Sequence, residues 1–292
     1  MIISHILGGI GNQMFQYAAG RSLAFANQDR LLLDISSFDD YTLHHGFQLS
    51  RVFDIDAEQA TFARIKQVLG YRACQYCRKI LKRPLFKRLR GRNLIVEPYA
   101  HFWSDFFSFK HDAYLLGYWQ SEKYFRSIAS QIRKDFTFKT ALVGKNADIA
   151  SSIQNQNAIS LHVRRGDYLS DLKTSQIMNV CSLDYYQSSI NAIADRVASP
   201  VFYIFSDDIE WVRRNLVMDY PCVYVDHNTQ EDSFRDMQLM SLCKHHIIAN
   251  SSFSWWGAWL NPCESKIVIA PKGWFVNGSD DGDIIPSDWE RL

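Results

Sequence analysis

The sequence lacks the features of a membrane-spanning, secreted or nucleic-acid-binding chain. No apolar run reaches the about eighteen residues that a transmembrane helix requires. Residues 1–7 have neither a basic leader nor a small-residue cleavage site, so they do not form a signal-peptide pattern. The formal net charge is only +1 over 292 residues, which gives no overall attraction to nucleic acid. We therefore expect a cytoplasmic protein with no nucleic-acid partner.

Cysteine is scarce and poorly placed for metal binding. Of the 6 cysteines, only Cys74 and Cys77 have the spacing of paired metal ligands. No second cysteine pair or histidine pair follows at the distance that a zinc finger needs. We expect reduced thiols with structural roles and no metal site.

Apolar residues are abundant and regularly ordered. They make up 47% of the chain, enough for a sizeable core. In the second half, strand-like and helix-like segments alternate, which predicts a parallel sheet with right-handed crossovers. The strands are predicted at 158–163, 201–205, 222–226, 246–250 and 266–270. The helices are predicted at 209–216, 233–244 and 253–260.

The first half begins with a unit of the same kind. A hydrophobic strand at 2–7 is followed by a glycine turn and a helix-like stretch. The polar stretch 139–157 is the best candidate for a domain boundary. We therefore expect an α/β protein with two Rossmann-like domains facing across a cleft, at residues 1–145 and 146–292.

Charged residues end the central strand at 158–163. Arg164, Arg165, Gly166 and Asp167 follow at the point where the apolar alternation stops. In open α/β sheets, ligands bind beyond the carboxyl ends of the strands, and the planar fork of arginine suits a phosphate. The alternative is an exposed arginine pair before a turn, with Asp167 capping the next helix. The residues alone leave both interpretations open.

A second candidate anion site follows the strand at 246–250. Ser251 and Ser252 stand between that strand and a predicted helix. Hydroxyls and free N–H groups at a helix N-terminus bind anions, although an ordinary serine N-cap explains the same pattern. Because Arg164 and Arg165 end a strand of the same predicted sheet, the four residues together would enclose a diphosphate.

The N-terminal glycine turn indicates a different function. Gly9 and Gly11 match two of the three glycines of a dinucleotide-binding turn, but Met14 occupies the third position. Asp34, at the end of a predicted strand, would then hold a ribose, as in an NAD-dependent oxidoreductase. Otherwise Asp34 caps the segment that follows. The turn also carries two amide side chains that would meet sugar hydroxyls or phosphate oxygens, Asn12 and Gln13.

Residues 64–92 are strongly basic. No acidic residue occurs between Glu58 and Glu97, and apolar residues are interleaved with the lysines and arginines. A solvated helical face explains this pattern. A peripheral contact with the inner face of the cell membrane explains it as well, because anionic headgroups attract such segments. Both explanations stay open.

Residues 97–125 are dense in aromatic side chains. Core packing explains most of them, although some would form a wall on which sugar rings stack. On aromatic density alone, a non-catalytic sugar-binding protein is a third hypothesis.

Four segments, taken together, resemble one family. They are GGIGNQMFQYA at 8–18, HVRRGDY at 162–168, FSDD at 205–208 and SSFSWW at 251–256. In this order they resemble the α-1,2-fucosyltransferases, glycosyltransferase family 11. The tail at 271–274 and 285–289 is similar too, whereas residues 40–140 carry the least of the resemblance.

This resemblance implies a GT-B-like fold, GDP-fucose as the donor substrate, and no cofactor or metal. It implies an inverting, bacterial enzyme that transfers L-fucose to the 2-hydroxyl of a terminal β-galactose in surface polysaccharide (O-antigen) synthesis. The implied partners are GDP-fucose and a galactose-terminated oligosaccharide, and a lipid-linked acceptor stays open. The N-terminal domain would bind the acceptor and the C-terminal domain would bind GDP-fucose.

The resemblance also implies roles for individual residues. Arg164 would contact the β-phosphate of GDP, and His162 would lie near the nucleotide. Asn12 would lie near donor and acceptor, and Asp236 resembles a guanine-reading carboxylate. Because Ser233 and Asp236 also form a capping-box pattern, helix capping explains Asp236 equally well. The other residues expected in the donor site are Gly11, Gln13, Arg165, Asp207, Ser251, Ser252 and Phe253.

The expected reaction breaks the glycosidic C–O bond of GDP-fucose, so negative charge builds on the diphosphate. Arginine side chains and helix N–H groups would stabilise that charge in place of a metal. A carboxylate would take the proton of the incoming hydroxyl. Asp167 is the first choice for this base, and Asp207 and Asp34 are the alternatives. Two Asp-x-Asp patterns typical of metal-dependent enzymes follow no clear strand and are taken as coincidence, 54–56 and 281–283.

Overall fold

The computed structural model describes residues 1–39, 45–55, 57–166, 180–276 and 281–292. Over these residues the chain divides into two compact units. Unit 1 comprises Met1–Lys139 and Gly282–Ile284, and unit 2 comprises Thr140–Asp281 and Ile285–Leu292. The predicted domains, 1–145 and 146–292, place the segment Gly282–Ile284 of unit 1 in the second domain.

Unit 1 is built on a parallel sheet. In the described residues its strands have the spatial order β3-β2-β1-β5-β4, and each pairing is parallel. The strands are β1 (Ile2–His5), β2 (Leu31–Asp34), β3 (Glu58–Gln59), β4 (Leu94–Val96) and β5 (Ala113–Leu116). Except for β3, they are short runs of mostly buried aliphatic residues, as expected for parallel strands covered on both faces.

Helices connect and cover these strands. They are α1 (Ile10–Ala26), α2 (Leu49–Val52), α3 (Phe62–Leu69), α4 (Gln75–Leu81) and α5 (Ala129–Asp135). Short 3₁₀ turns occupy Ser36–Phe38, Gly70–Ala73, Pro84–Leu89, Ser104–Ser108, Glu122–Tyr124 and Arg126–Ile128. Helix α1 is buried on almost every side, which explains its many apolar and small residues. It begins at Ile10 after an extended Gly9, so Gly11 lies within the first helical turn.

A buried ion pair joins α4 to the sheet. Arg78 on α4 pairs with Asp34 at the end of β2 and also donates to the hydroxyl oxygen of Tyr114 on β5. The Tyr114 hydroxyl donates to Asp34, which also accepts the backbone N–H of Ser36 at 3.0 Å. Burial alone would raise the pKa of Asp34, but Arg78 and these hydrogen bonds lower it. Arg78 is therefore a core residue, and neither explanation given for the basic stretch 64–92, a solvated face or a membrane contact, applies to it.

Unit 2 contains a second parallel sheet. In the described residues its strands have the order β11-β10-β9-β6-β7-β8, and each pairing is parallel. They are β6 (Asn157–Val163), β7 (Pro200–Ser206), β8 (Cys222–Val225), β9 (His245–Ile247), β10 (Val268–Ala270) and β11 (Glu290–Arg291). The strands predicted from periodicity correspond to β6–β10.

Helices cover both faces of the second sheet. They are α6 (Lys145–Gln154), α7 (Leu183–Ala194), α8 (Ile209–Asn215), α9 (Phe234–Leu242) and α10 (Ser252–Leu260), with a 3₁₀ turn at Gln230–Asp232. Ile204 packs in one apolar cluster with residues of α7 and α8. Its neighbour Phe205 packs in another with residues of α6 and α9. Successive side chains of β7 therefore meet opposite helix layers.

None of the helices in the described ranges has both the length and the apolar character needed to cross a membrane.

Replacing Arg78 should test how much the buried ion pair stabilises unit 1. We expect Arg78→Ala to lower the free energy of unfolding by about 3–5 kcal/mol, because it leaves the Asp34 carboxylate buried without its cation. Chemical denaturation followed by circular dichroism measures this change. Arg83→Ala removes an exposed arginine from the same segment and should cost less than about 0.5 kcal/mol. Equal losses in the two variants would contradict the structural role of Arg78.

Candidate functional site

The carboxyl ends of four neighbouring strands in unit 2 bring the predicted site residues to one edge of the sheet. The strands β9, β6, β7 and β8 are adjacent and parallel, so the segments that follow them leave the sheet on the same side. These segments contain the predicted residues Ser251, Arg164 and Asp207, and also Asn228, which was not predicted. The sheet order thus supports the prediction that residues distant in sequence share this edge.

Asp207 holds the turn after β6. One carboxylate oxygen accepts the backbone N–H of Arg165 at 2.9 Å, and the other accepts that of Gly166 at 3.0 Å. The second oxygen also pairs with Nε of Arg164 at 3.2 Å. The carboxylate therefore fixes both the backbone of the turn and the direction of the Arg164 guanidinium.

Gly166 permits this close approach. A Cβ atom at position 166 would lie 3.0 Å from the Oδ2 atom and 3.3 Å from the Cγ atom of Asp207. Either the carboxylate or the turn would have to move for any other residue. The glycine in the predicted Arg-Arg-Gly-Asp element therefore serves the contact with Asp207. The fourth residue of that element, Asp167, lies outside the described residues.

Arg165 lies against an aromatic ring. Its guanidinium carbon stands 3.5 Å from the ring centroid of Trp211, near the start of α8. Its Nε atom is buried and has no hydrogen-bond partner in the described part of the chain. The two adjacent arginines thus have different surroundings, because Arg164 is paired with a carboxylate and Arg165 is stacked on an indole.

His162 is a neutral, buried histidine at the end of β6. Burial, together with the nearby Arg164 cation, lowers the pKa of His162 to about 3. Its ring lies 5.8 Å from the ring of Phe253, and its Nδ1 atom has no hydrogen-bond partner among the described residues. A buried polar atom without a partner is uncommon in proteins, and a bound ligand would supply the hydrogen bond that this Nδ1 atom lacks.

The N-terminus of α10 forms the next part of this edge. Ser251 is the N-cap, and its hydroxyl accepts the backbone N–H of Phe253 at 3.3 Å. Ser252 is the first residue of the helix, and the Phe253 side chain packs against the apolar cluster that contains Phe205. The serine N-cap interpretation is therefore correct for Ser251. Capping uses the hydroxyl of Ser251 only. The dipole of α10 still favours an anion at the N-terminus of the helix.

Asp236 belongs to a polar network beyond β8. Its carboxylate accepts Nδ2 of Asn228 at 2.8 Å, and Asn228 also exchanges hydrogen bonds with Asn146 at 2.8 and 2.9 Å. Burial raises the pKa of Asp236 to about 7, and the bond from Asn228 only partly offsets it. The capping explanation is wrong, because Ser233 has helical backbone angles and makes no side-chain cap bond.

In unit 1, the predicted Asn12 is held at the start of α1. Its Oδ1 atom accepts Nε2 of Gln120 at 2.7 Å. Gly8 has a φ of 82°, and a Cβ atom there would lie 3.1 Å from Nδ2 of Asn12. The glycine turn therefore accommodates the asparagine side chain closely. Gln120 follows β5, the neighbour of β1, so Asn12 lies at the carboxyl edge of the first sheet.

Gln13 is fully buried and bonded to backbone groups. Its amide donates to the carbonyls of Gly8 at 2.8 Å and Gly46 at 2.9 Å, and it accepts the N–H of Gln48 at 2.9 Å. Gln13 thus connects the glycine turn to the segment before α2, and Gly11 lies beside it in the helix. This structural use of Gln13 has no counterpart in the sequence prediction.

Asp34 is unsuited to the two functions considered for it. Both of its oxygens are engaged, by Ser36 on one side and by Arg78 and Tyr114 on the other. A general base and a ribose-binding carboxylate each need an oxygen that the substrate can reach. We therefore correct both expectations for Asp34, since its contacts are those of a structural anchor.

Glu97 is not among the residues predicted for the site. This residue follows β4, and its carboxylate accepts the backbone N–H groups of Tyr118 at 2.6 Å and Trp119 at 2.8 Å. A Cβ atom at Gly117 would lie only 2.4 Å from the Cβ atom of Glu97. Burial raises the pKa of Glu97 to about 7, although the two backbone hydrogen bonds lower it in part. A glycine before two aromatic residues is too weak a signal to reveal this contact.

The described residues of the two Asp-x-Asp patterns have other contacts. In the second pattern, Asp281 accepts the N–H of Trp274 and pairs with Arg291, whereas Asp283 pairs with Lys123. In the first pattern, Asp56 lies outside the described residues. No group of three histidine, cysteine, aspartate or glutamate side chains in the described ranges could hold a metal ion.

Comparisons with known proteins point to one family. A family model described as Glycosyl transferase family 11 matches residues 5–289. The chain is 36% identical over 298 residues to an alpha-1,2-colitosyltransferase of Escherichia coli, covering 100% of this chain and 99% of the relative. It is 34% identical over 313 residues to the O-antigen biosynthesis glycosyltransferase WbnK of Escherichia coli, covering 99% of this chain and 99% of the relative.

A solved structure shares the fold. The NodZ alpha-1,6-fucosyltransferase co-crystallized with GDP, a protein from Bradyrhizobium, aligns with a TM-score of 0.52 and 15% identity. The alignment covers 89% of this chain and 92% of the other. Together with the two parallel sheets, it confirms the predicted α/β, GT-B-like fold class.

The raised pKa of Glu97 predicts a pH dependence of stability. The folded protein keeps the Glu97 proton up to about pH 7, whereas an ordinary glutamate releases it near pH 4.5. The free energy of unfolding should therefore decrease as pH rises from 4.5 to 7. This loss amounts to at most about 3 kcal/mol.

Glu97→Gln should remove this contribution, because glutamine cannot ionise. Relative to the wild type, the variant should become more stable between those two pH values, as measured by chemical denaturation. The same shift at Asp236 is present in both proteins and cancels in the difference. Glu264→Gln changes an exposed glutamate and serves as the control. If the Glu97 and Glu264 variants had the same pH profile, the buried environment of Glu97 would be contradicted.

Proposed function

Because this chain belongs to glycosyl transferase family 11, we propose that it transfers L-fucose from GDP-fucose to the 2-hydroxyl of a terminal β-galactose. The family membership confirms the resemblance found in the motifs. It also shows that the alternative prediction of an NAD-dependent oxidoreductase is wrong, since the match spans the glycine turn and the whole second half. We propose O-antigen synthesis in the cytoplasm as the setting, by analogy with the relative named for that process.

The observation that carries the proposal is the contact of Asp207 with the turn after β6. It holds Arg164 and two backbone groups at a strand end, beside the helix N-terminus that begins at Ser252. Arginine and a helix N-terminus are complementary to a diphosphate. The GDP in the related NodZ crystal supports a guanosine diphosphate as the leaving group. We therefore assign donor binding to residues 146–292 and acceptor binding to residues 1–145.

Within this assignment, each residue has a distinct role. Arg164 would bind the β-phosphate. The neutral imidazole of His162 would form a hydrogen bond with the nucleotide through its Nδ1 atom. Asp236 would read the guanine edge, because a carboxylate can accept from two adjacent N–H donors. Its raised pKa is consistent with a site that gains stability when such donors arrive. Arg165, Ser251, Ser252 and Phe253 line the same edge of the sheet.

The chemistry follows from charge development on the leaving diphosphate. As the bond from the anomeric carbon to phosphate oxygen breaks, Arg164 and the α10 N–H groups stabilise the negative charge, so the proposed reaction needs no metal. The galactose 2-hydroxyl attacks from the opposite face and inverts the configuration. Asp167 stays our proposal for the base that accepts the hydroxyl proton. Asp207 is a positioning residue, since both of its oxygens are already engaged.

The acceptor side of the proposal rests on Asn12. Gln120 fixes its side chain at the carboxyl edge of the first sheet, where strand-end segments also place Glu97. An amide can orient a sugar hydroxyl without taking its proton. Asn12 would thus position donor or acceptor, while Gln13 and Gly11 support the turn from which it projects.

A transfer assay should decide the donor and the linkage. We would offer GDP-fucose, GDP-colitose, GDP-mannose and UDP-galactose with a panel of β-galactosides in excess EDTA, and read the linkage by NMR. We expect fucose on the galactose 2-hydroxyl at a rate that EDTA does not change. GDP-colitose is the decisive competitor, because colitose is fucose without its 3-hydroxyl and one relative is a colitosyltransferase. Exclusive use of GDP-colitose would overturn the donor, and loss in EDTA would overturn the metal-free mechanism.

Arg164 provides a test of the mechanism. Arg164→Ala should lower kcat by about 10²–10³ because it removes a donor that stabilises the leaving diphosphate. Arg213→Ala is the matched control, since it removes an exposed arginine of α8 that pairs with Asp226. Steady-state kinetics with GDP-fucose measure the effect, and circular dichroism verifies the fold. Normal turnover by the Arg164 variant would contradict the role assigned to that residue.

A further inference from the structure

Unit 1 also has a strongly basic surface. It is formed by the segment from Tyr71 to Arg92, within the sequence region that has no acidic residue. We call it the basic face. Its cationic members all lie at least partly exposed, and they are Arg72, Lys79, Lys82, Arg83, Lys87, Arg88, Arg90 and Arg92. No salt bridge in the described part of the chain joins one of these eight side chains to an acidic residue, in contrast to the buried Arg78, although the Lys82 charge acts on Glu97.

Large apolar side chains are exposed on the same segment. Leu85 is 86% exposed, Tyr71 is 74% exposed, Tyr76 is 71% exposed and Leu89 is 56% exposed. Their exposure is not a consequence of loose packing, because Leu81 and Phe86 of the same segment pack against the core of unit 1. The segment therefore has some apolar side chains that pack against the core of unit 1 and others that are exposed without contributing to that core.

The basic face also contains a small cavity lined by arginines. The cavity has a volume of about 250 Å³, and its polar lining is Arg72, Arg90, Arg92 and Asn93. Two of these guanidinium groups are held in place. Arg72 donates to the carbonyl of Leu89 at 2.7 Å, and Arg90 donates to that of Leu81 at 2.8 Å. Arginines fixed in this way around a cavity are suited to bind a phosphate group.

We propose that the basic face docks unit 1 on the surface of an anionic phospholipid membrane. Lipid phosphates bind at the arginine-lined cavity and to the surrounding lysines and arginines. Leu85 and Leu89 enter the interface between headgroups and acyl chains, where their exposed surface loses its contact with water. A solvated face accounts for the cations but not for these leucines. RNA would meet the same charges, but its backbone offers no apolar environment for an aliphatic side chain.

Vesicle sedimentation tests this proposal with the full chain and without any transfer assay. The probes are vesicles of pure phosphatidylcholine and vesicles with about one third phosphatidylglycerol, each at low and high salt. We expect sedimentation with the anionic vesicles at low salt and release at high salt, because the attraction is screened within a Debye length of about 10 Å at 0.1 M salt. Equal binding to the neutral vesicles, or no binding to the anionic ones, would overturn the proposal.

Two variants separate the contributions of charge and apolar contact. The quadruple variant Lys82→Gln, Arg83→Gln, Lys87→Gln and Arg88→Gln should lower the partition coefficient by roughly several hundredfold, since each of the four cations near the surface contributes about fivefold and the factors multiply. The double variant Leu85→Ser and Leu89→Ser should lower it at least about fivefold without changing the net charge. All six positions are exposed, so the fold is expected to persist.

A matched control removes four charges elsewhere. Lys110→Gln, Lys134→Gln, Arg214→Gln and Lys244→Gln change exposed residues outside the basic face and should leave the partition coefficient unchanged. An equal loss in this control would overturn the proposal, because net charge alone would then explain binding. Displacement from the vesicles by single-stranded RNA at equal phosphate concentration would also overturn it, in favour of a polyanion site.

Discussion

The contact between Asp207 and the turn after β6 is the constraint on which the proposed donor site depends. One carboxylate from β7 satisfies two backbone N–H groups and one arginine on the neighbouring strand end. Without it, the N–H groups of Arg165 and Gly166 would lose their partner, and the Arg164 guanidinium would lose the group that orients it. Because β6 and β7 pair in register along their whole length, with Val163 opposite Ser206, the sheet itself sets the distance between turn and carboxylate. The paired strands β6 and β7 therefore set both the position of the turn and the orientation of the Arg164 guanidinium.

Unit 1 contains a similar contact between a carboxylate and a turn, but the charge environment of the carboxylate is different. Glu97 from β4 accepts two N–H groups of the turn after β5, as Asp207 does for the turn after β6. In both places a glycine lies close to the acidic side chain, because a Cβ atom at Gly117 would stand 2.4 Å from Glu97 and one at Gly166 would stand 3.0 Å from Asp207. Asp207 has the Arg164 cation at 3.2 Å, whereas burial dominates at Glu97 and raises its pKa to about 7. The same kind of contact therefore orients an arginine at one strand end and holds a carboxyl group of raised pKa at the other.

Much of the fold could be predicted from the sequence because the relevant signals are local. Strands β6 to β10 are short apolar runs, and the helices between them show their own periodicity, so alternation alone indicated parallel α/β architecture. The Arg164–Gly166 turn was recognisable for the same reason, since its residues are contiguous. The ionic role of Asp34 was not recognisable. Its partner Arg78 is 44 positions away, in a segment whose sequence pattern is typical of a solvated basic helix. Arg78 is buried only because α4 packs on the sheet.

The sequence by itself determined the class of fold, the family and the small set of residues that follow the strands. Each of these depends on patterns formed by residues that are close together in the sequence. Tertiary structure alone decided which of those residues act on one another. The parallel pairing of β6 and β7 brings Asp207 to the turn after β6, where it contacts Arg165 from 42 positions away. The stacking of Arg165 on Trp211 depends on where α8 begins. The difference has a physical reason: periodicity depends on the chain's immediate neighbours, whereas a hydrogen bond or ion pair depends on distances that only the assembled sheet sets.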